Sequence, residues 1–180
     1  MTAFLVDAST FITLASIDHH DLLRGLDGPV VVPAAVTAEV TSAPASGHLT
    51  TARETDRVEI RSAPDEALDH AADHLGISTD PSDDETHGGD VALLAMALSI
   101  DDSVVVTDDG PLRKACRALD IPLSGSLGVL VAAVERDELD PETARDALVA
   151  MDEVGARLSA RLFRRAERLM AEAAADSDGS

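Results

Sequence analysis

The chain has 180 residues, 45% of them hydrophobic, which is enough for one domain with a continuous core and too little for two ordinary ones. Asp and Glu number 34 against 14 Lys and Arg, a formal net charge of −20, with aromatics at 2% and Lys114 the only lysine. No apolar run approaches the roughly 20 residues that span a bilayer, the opening Met1-Thr2-Ala3-Phe4 lacks the basic-then-apolar layout of a signal peptide, and the single Cys116 excludes an internal disulfide, so a soluble cytoplasmic protein is expected.

In chain order, Phe4-Leu5-Val6, Val30-Val31-Val32, Val58-Glu59-Ile60 and Val104-Val105-Val106 have strand character. Segments of helical period separate them, which predicts an alternating α/β domain with a mostly parallel sheet. A helix is expected to begin near Thr10. Pro33 opens another that runs to about Val40, with Val36 and Val40 on one face and Glu39 just off it. Thr41 to Gly47 reads as loop. Asp65 to Leu75 is helical in pattern and Gly76 ends it, after which Ser78 to His87 reads as an exposed loop. Gly88 and Gly89 lead into Asp90 to Leu98, a helix apolar enough to be buried on most sides, and Pro111 starts the next. Beyond Ile121 and Pro122 the pattern is helical to the end, over Leu127 to Glu135, Pro141 to Met151 and Arg157 to Ala173. The expected division is a core domain over 1–135, a helical extension packed on it over 136–173, and a disordered acidic tail over 174–180.

Asp7 directly follows the first apolar strand, and Asp108 and Asp109 follow the strand at Val104. Ligands of open α/β sheets bind beyond the carboxyl ends of strands, so these acids are expected to be neighbours in space. Asp90, behind two glycines at a helix start, and Glu39 are placed to join them. Four carboxylates in one pocket repel unless a cation holds them, and all-oxygen donors predict a hard metal, Mg²⁺ or Mn²⁺. Such a site activates water and neutralises charge on a phosphodiester under attack. Ser9 has two readings: a hydrogen-bond donor at the site, or a cap for the helix near Thr10. Taken singly, each acid also has a structural reading, as a first-turn residue, a turn former or a solvated surface group.

The local sequences around these acids resemble the PIN-domain family over nearly the whole chain. Val6-Asp7-Ala8-Ser9-Thr10-Phe11 resembles its opening strand with the first acid and a hydroxyl two residues on. Val32-Pro33-Ala34-Ala35-Val36-Thr37-Ala38-Glu39 is similar to the segment with the second acid, and Gly89-Asp90-Val91-Ala92-Leu93 to the helix with the third. Val105-Val106-Thr107-Asp108-Asp109 resembles the last strand with its Thr-x-Asp, which assigns the fourth acid to Asp109 with Asp108 as close second. The resemblance implies a three-layer α/β/α sandwich, metal-dependent cleavage of single-stranded RNA by Asp7, Glu39, Asp90 and Asp109, and often a toxin role beside an antitoxin protein. Ile121 through Leu130 resembles a subgroup with extra C-terminal helices. The rival readings are a catalytically silent module that binds RNA or a protein, and a phosphotransfer receiver; the latter lacks a phosphoacceptor Asp on a middle strand and a late lysine.

The acidity reads as a hydrated surface of the kind found in salt-accumulating halophiles. Arg113, Lys114 and Arg117 lie on the helix after Asp109, in reach of substrate phosphates. Arg157, Arg161, Arg164, Arg165 and Arg168 form a stripe that either follows an RNA backbone or pairs with neighbouring acids. His19, His20, His48, His70, His74 and His87 read as solvated surface histidines; His70 and His74 share a helix face without the Glu of a zinc-protease pattern. The apolar helix Leu127 to Val134 suits either a homodimer contact or the cover of the sheet.

Overall fold

The computed structural model describes residues 1–41, 43, 45–54, 58–77, 88–155 and 160–177. Five strands, β1 (Ala3–Val6), β2 (Val30–Pro33), β3 (Glu59–Arg61), β4 (Ser103–Val106) and β5 (Leu123–Ser124), form a sheet in the order β3-β2-β1-β4-β5 with every pairing parallel. Valine dominates the inner strands because branched side chains suit a pleated surface. Both faces are apolar: Val6, Val30, Val32 and Val106 pack with Phe11, Leu14, Leu49 and Val129, whereas Leu5, Val31 and Val105 pack with Ala71, Leu93, Leu94 and Leu112. That period-two division, apolar on either side, is what a parallel sheet covered by two helical layers requires.

The first face is covered by α1 (Ala8–Ser16), α3 (Ala45–Glu54) and α7 (Ser126–Glu135), and the second by α4 (Asp65–Leu75), α5 (Gly89–Ser99) and α6 (Gly110–Ala118). The short α2 (Ala34–Glu39) follows β2. Local chemistry explains several ends. Gly76 terminates α4 in the left-handed conformation at φ 70°. Asp109 caps α6 by accepting from the Leu112 N–H at 2.8 Å, and Asp140 caps α8 (Pro141–Glu153) through the N–H groups of Glu142 and Thr143. Because α5 is wedged between sheet and α4, Val91 through Ala97 are buried all round.

A third apolar cluster joins α7 to α8 and α9 (Ala160–Ser177) through Leu130, Val134, Ala147, Met151 and Met170. Leu130, Ala133 and Val134 of α7 are thereby buried from within the chain, whereas Leu127 and Val131 are partly buried. Four expectations change. Residues 45–47 belong to α3, because Ala45 and Leu49, one turn apart, are both buried. The stretch after Pro122 contains β5, whose two residues are too few for any periodicity to reveal. Helix α1 starts at Ala8 with Asp7 at its N-cap position, and a 3-10 turn occupies His20–Gly25. Finally, α9 continues to Ser177, through the start of the expected tail. The expected loop over 78–87, Arg157 and residues 178–180 lie outside the described residues. No described helix is long and apolar enough to cross a membrane.

Candidate active site

Strand order decides where the acids go. From β1 the chain moves outward to β2 and β3, then returns to the other side of β1 for β4 and β5, so the topological switch point lies between β1 and β4. The register pairs Val6 with Val106. Asp7 and Thr107, the next residues, therefore emerge side by side at the carboxyl edge of the two central strands. Thr107 is fully buried; its hydroxyl donates to Asp7 Oδ2 at 2.9 Å and accepts from the Asp109 N–H at 3.0 Å. One side chain thus fixes the positions of two acids. Ser9 donates to the same Asp7 oxygen at 2.5 Å, so it orients a carboxylate and does not cap α1.

The other two acids arrive on helices. Glu39 ends α2 and its Oε1 accepts the Gly89 N–H at 2.6 Å, capping α5 from outside. A Cβ on Gly89 would stand 2.7 Å from that oxygen and 2.8 Å from Val36 Cγ2, so the approach of α2 to α5 depends on glycine here. Asp90 follows in the first turn of α5. Its pKa is raised from 3.8 to about 6, by burial first and then by the charges of Asp7, Asp109 and Glu39. Asp7, Glu39, Asp90 and Asp109 are therefore brought into one electrostatic neighbourhood.

Asp108 goes elsewhere. Its carboxylate accepts from the Ser126 hydroxyl at 2.5 Å and the Ser126 N–H at 3.1 Å, at the amino end of α7, where the helix dipole favours negative charge. It is a tie between β4 and α7, and Ser126 is a partner that sequence reasoning missed. The basic residues of α6 separate as well. Arg113 donates to the carbonyl oxygens of Thr107 and Ser124, both at 2.6 Å, and so stitches the ends of β4 and β5 together. Arg117 and Arg165 line a cleft of about 590 Å³ that also touches Asp108 and Ser126, whereas Lys114 lies in a different hollow with His74 and Pro111. Arg168 pairs with Glu172 at 3.8 Å, so the α9 stripe is partly spent within its own helix.

Among the described residues, three of the clustered acids share a pattern. Asp7, Glu39 and Asp109 each commit one oxygen to the scaffold, and no protein donor engages Asp7 Oδ1, Glu39 Oε2 or Asp109 Oδ2. Carboxylate oxygens are the donors of a hard divalent cation; no three of these acids bring ligand atoms within 4.8 Å of one another, so an ion would be enclosed only after side-chain movement.

The histidines divide. His70 and His74 are exposed, with their Nε2 atoms 3.1 Å apart. His20 and His48 are not solvated surface groups: their ring centroids lie 3.9 Å apart, and burial, followed by the charge of His48, lowers the pKa of His20. His87 lies outside the described residues.

No curated protein matches the chain closely enough to count as a relative. The model of one protein family, described as a PIN domain, matches residues 3–172, from β1 into α9. Members of that family are generally metal-dependent nucleases that bind nucleic acid. With a match over most of its length, and a parallel sheet between two helical layers as the fold, the chain belongs to the PIN-domain family.

Proposed function

We propose that the chain is a metal-dependent endoribonuclease that hydrolyses phosphodiester bonds of single-stranded RNA. Asp7, Glu39, Asp90 and Asp109 are the ligands of Mg²⁺ or Mn²⁺ in this reading, and the observation that carries it is the shared electrostatic neighbourhood of these four acids. A divalent ion bound there supplies a water nucleophile at neutral pH and takes up charge on the phosphate. The rest is done by the chain's own groups. Thr107 and Ser9 hold the Asp7 carboxylate in one rotamer, so no reorganisation is needed when substrate arrives. Glu39 is held by the α5 backbone, and Asp109 by the first turn of α6. Arg117 and Arg165, in the cleft beside Asp108, offer cations to flanking phosphates in a molecule otherwise hostile to them. Toxin activity checked by an antitoxin is the biological role this reading favours, and growth arrest on expression of the wild-type chain alone tests it.

Cleavage of end-labelled single-stranded RNA in molar KCl, with Mn²⁺ or Mg²⁺ and then with EDTA, tests the chemistry. Wild type should cut only with metal, and Asp7→Asn should lose at least about 100-fold in rate. A folded wild type that binds metal and RNA without cutting would replace this reading with that of a silent binding module.

A further inference from the structure

A grouping of metal-competent side chains apart from the four acids sits at the far end of α1. Asp18 follows that helix, His20 opens the 3-10 turn, and His48 projects from α3. One donor atom from each lies within 4.8 Å of the other two. The turn that presents Asp18 and His20 is tightly held: the Asp18 N–H donates to Ala15 O at 3.2 Å and the His19 N–H to Leu14 O at 2.8 Å. His20 and His48 meet ring to ring, tilted by 37°. His20 Nδ1 is buried and has no hydrogen-bond partner among the described residues, which is unusual because buried polar atoms are nearly always satisfied.

We propose that Asp18, His20 and His48 form a second cation site, for a transition metal of the zinc class. Two imidazole nitrogens and one carboxylate oxygen are the donors of Zn²⁺, Co²⁺ or Ni²⁺, whereas Mg²⁺ takes oxygen. Bond lengths of about 2.0 to 2.2 Å place ligand atoms of a tetrahedral site roughly 3.3 Å apart, so the three donors close on an ion by side-chain movement alone. Three protein ligands leave a fourth position to water. The ion ties the end of α1 and the 3-10 turn to α3. It is separate from the carboxylate cluster, because α1 has nine residues and so spans about 14 Å from Asp7 to this end. The neighbouring Asp21 does not displace the reading: its carboxylate stands 3.6 Å from His20 Nε2, beyond hydrogen-bond reach, and is engaged by Arg24.

The test uses the full chain, stripped with chelator and titrated with Co²⁺, whose visible spectrum reports coordination, and with Zn²⁺ in competition. Asp7→Asn serves as background to weaken the carboxylate cluster, and binding that this variant keeps but that is lost on changing His48 or Asp18 belongs to the second site alone. One equivalent of Co²⁺ should bind and be displaced by Zn²⁺, with affinity at least about tenfold lower in both His48→Gln and Asp18→Asn. Asn accepts the left-handed conformation that Asp18 adopts at φ 60°, so Asp18→Asn keeps the test valid if His48→Gln fails to fold. No stoichiometric binding, equal binding in the variants, or binding lost instead in His70→Gln would overturn the site.

Discussion

Asp90 has a pKa raised from 3.8 to about 6, chiefly by burial and then by three neighbouring acids. The consequence for stability has a definite sign. Between about pH 4 and 6 the unfolded chain ionises at Asp90 before the folded one does, so the metal-free protein loses stability as pH rises through that window and does not regain it above. Asp90→Asn removes the penalty. In EDTA it should melt higher than wild type at pH 7 and show a shallower difference at pH 4, while RNA cleavage is lost. Thermal melts across that range, paired with the cleavage assay, check both halves; an Asn variant no more stable than wild type at pH 7 would mean that the charge is relieved by other means. Opposed effects on stability and activity are the signature of a group placed for function.

Among the secondary-structure elements, the join of β5 to α7 packs closely against the end of β4. A Cβ on Gly125 would collide with Asp108 Oδ1 and stand 3.1 Å from an Arg113 nitrogen and 3.2 Å from Thr107 O. Gly125→Ala should therefore dislodge Asp108 from Ser126 and cost about 1–3 kcal/mol in denaturant unfolding. The same join shows what a sequence discloses. The apolar runs Phe4-Leu5-Val6, Val30-Val31-Val32 and Val104-Val105-Val106 mark β1, β2 and β4, and Pro33 and Gly76 mark the ends of two helices, because each acts through local sterics. Two-residue β5 and the first turn of α3 carry too little pattern to read. Of the acids, Asp7 and Asp109 were legible as strand followers. Which partner each of the two adjacent aspartates takes is set by α6 and α7, brought in by tertiary packing, so the bond of Asp108 to Ser126 is not legible in the local sequence. His20 and His48 lie on α1's end and α3, whose packing no local spacing encodes.

For the molecule as a whole, net charge is the dominant fact, at −20. Arginines such as Arg24, Arg61, Arg136, Arg145 and Arg168 are paired with acids, and among the described residues Arg117 and Arg165 of the cleft enter no ion pair. At low ionic strength such a surface repels both itself and RNA, whereas molar salt shortens the Debye length to about 3 Å. Melting temperature and cleavage rate should both rise from about 0.1 M to 2 M KCl, the reverse of the usual salt dependence of nucleic-acid binding. A rate that falls across this range would assign the acidity another purpose.

The hydrogen bond from Thr107 to Asp7 joins residues 100 positions apart, across the two central strands. A ribosome that adds about 5–20 residues per second leaves Asp7 waiting roughly 5 to 20 s for its partner. Until β4 emerges there is no cluster to fill, so a nascent or prematurely terminated chain that stops before Ser103 cannot assemble the site, whatever metal surrounds it.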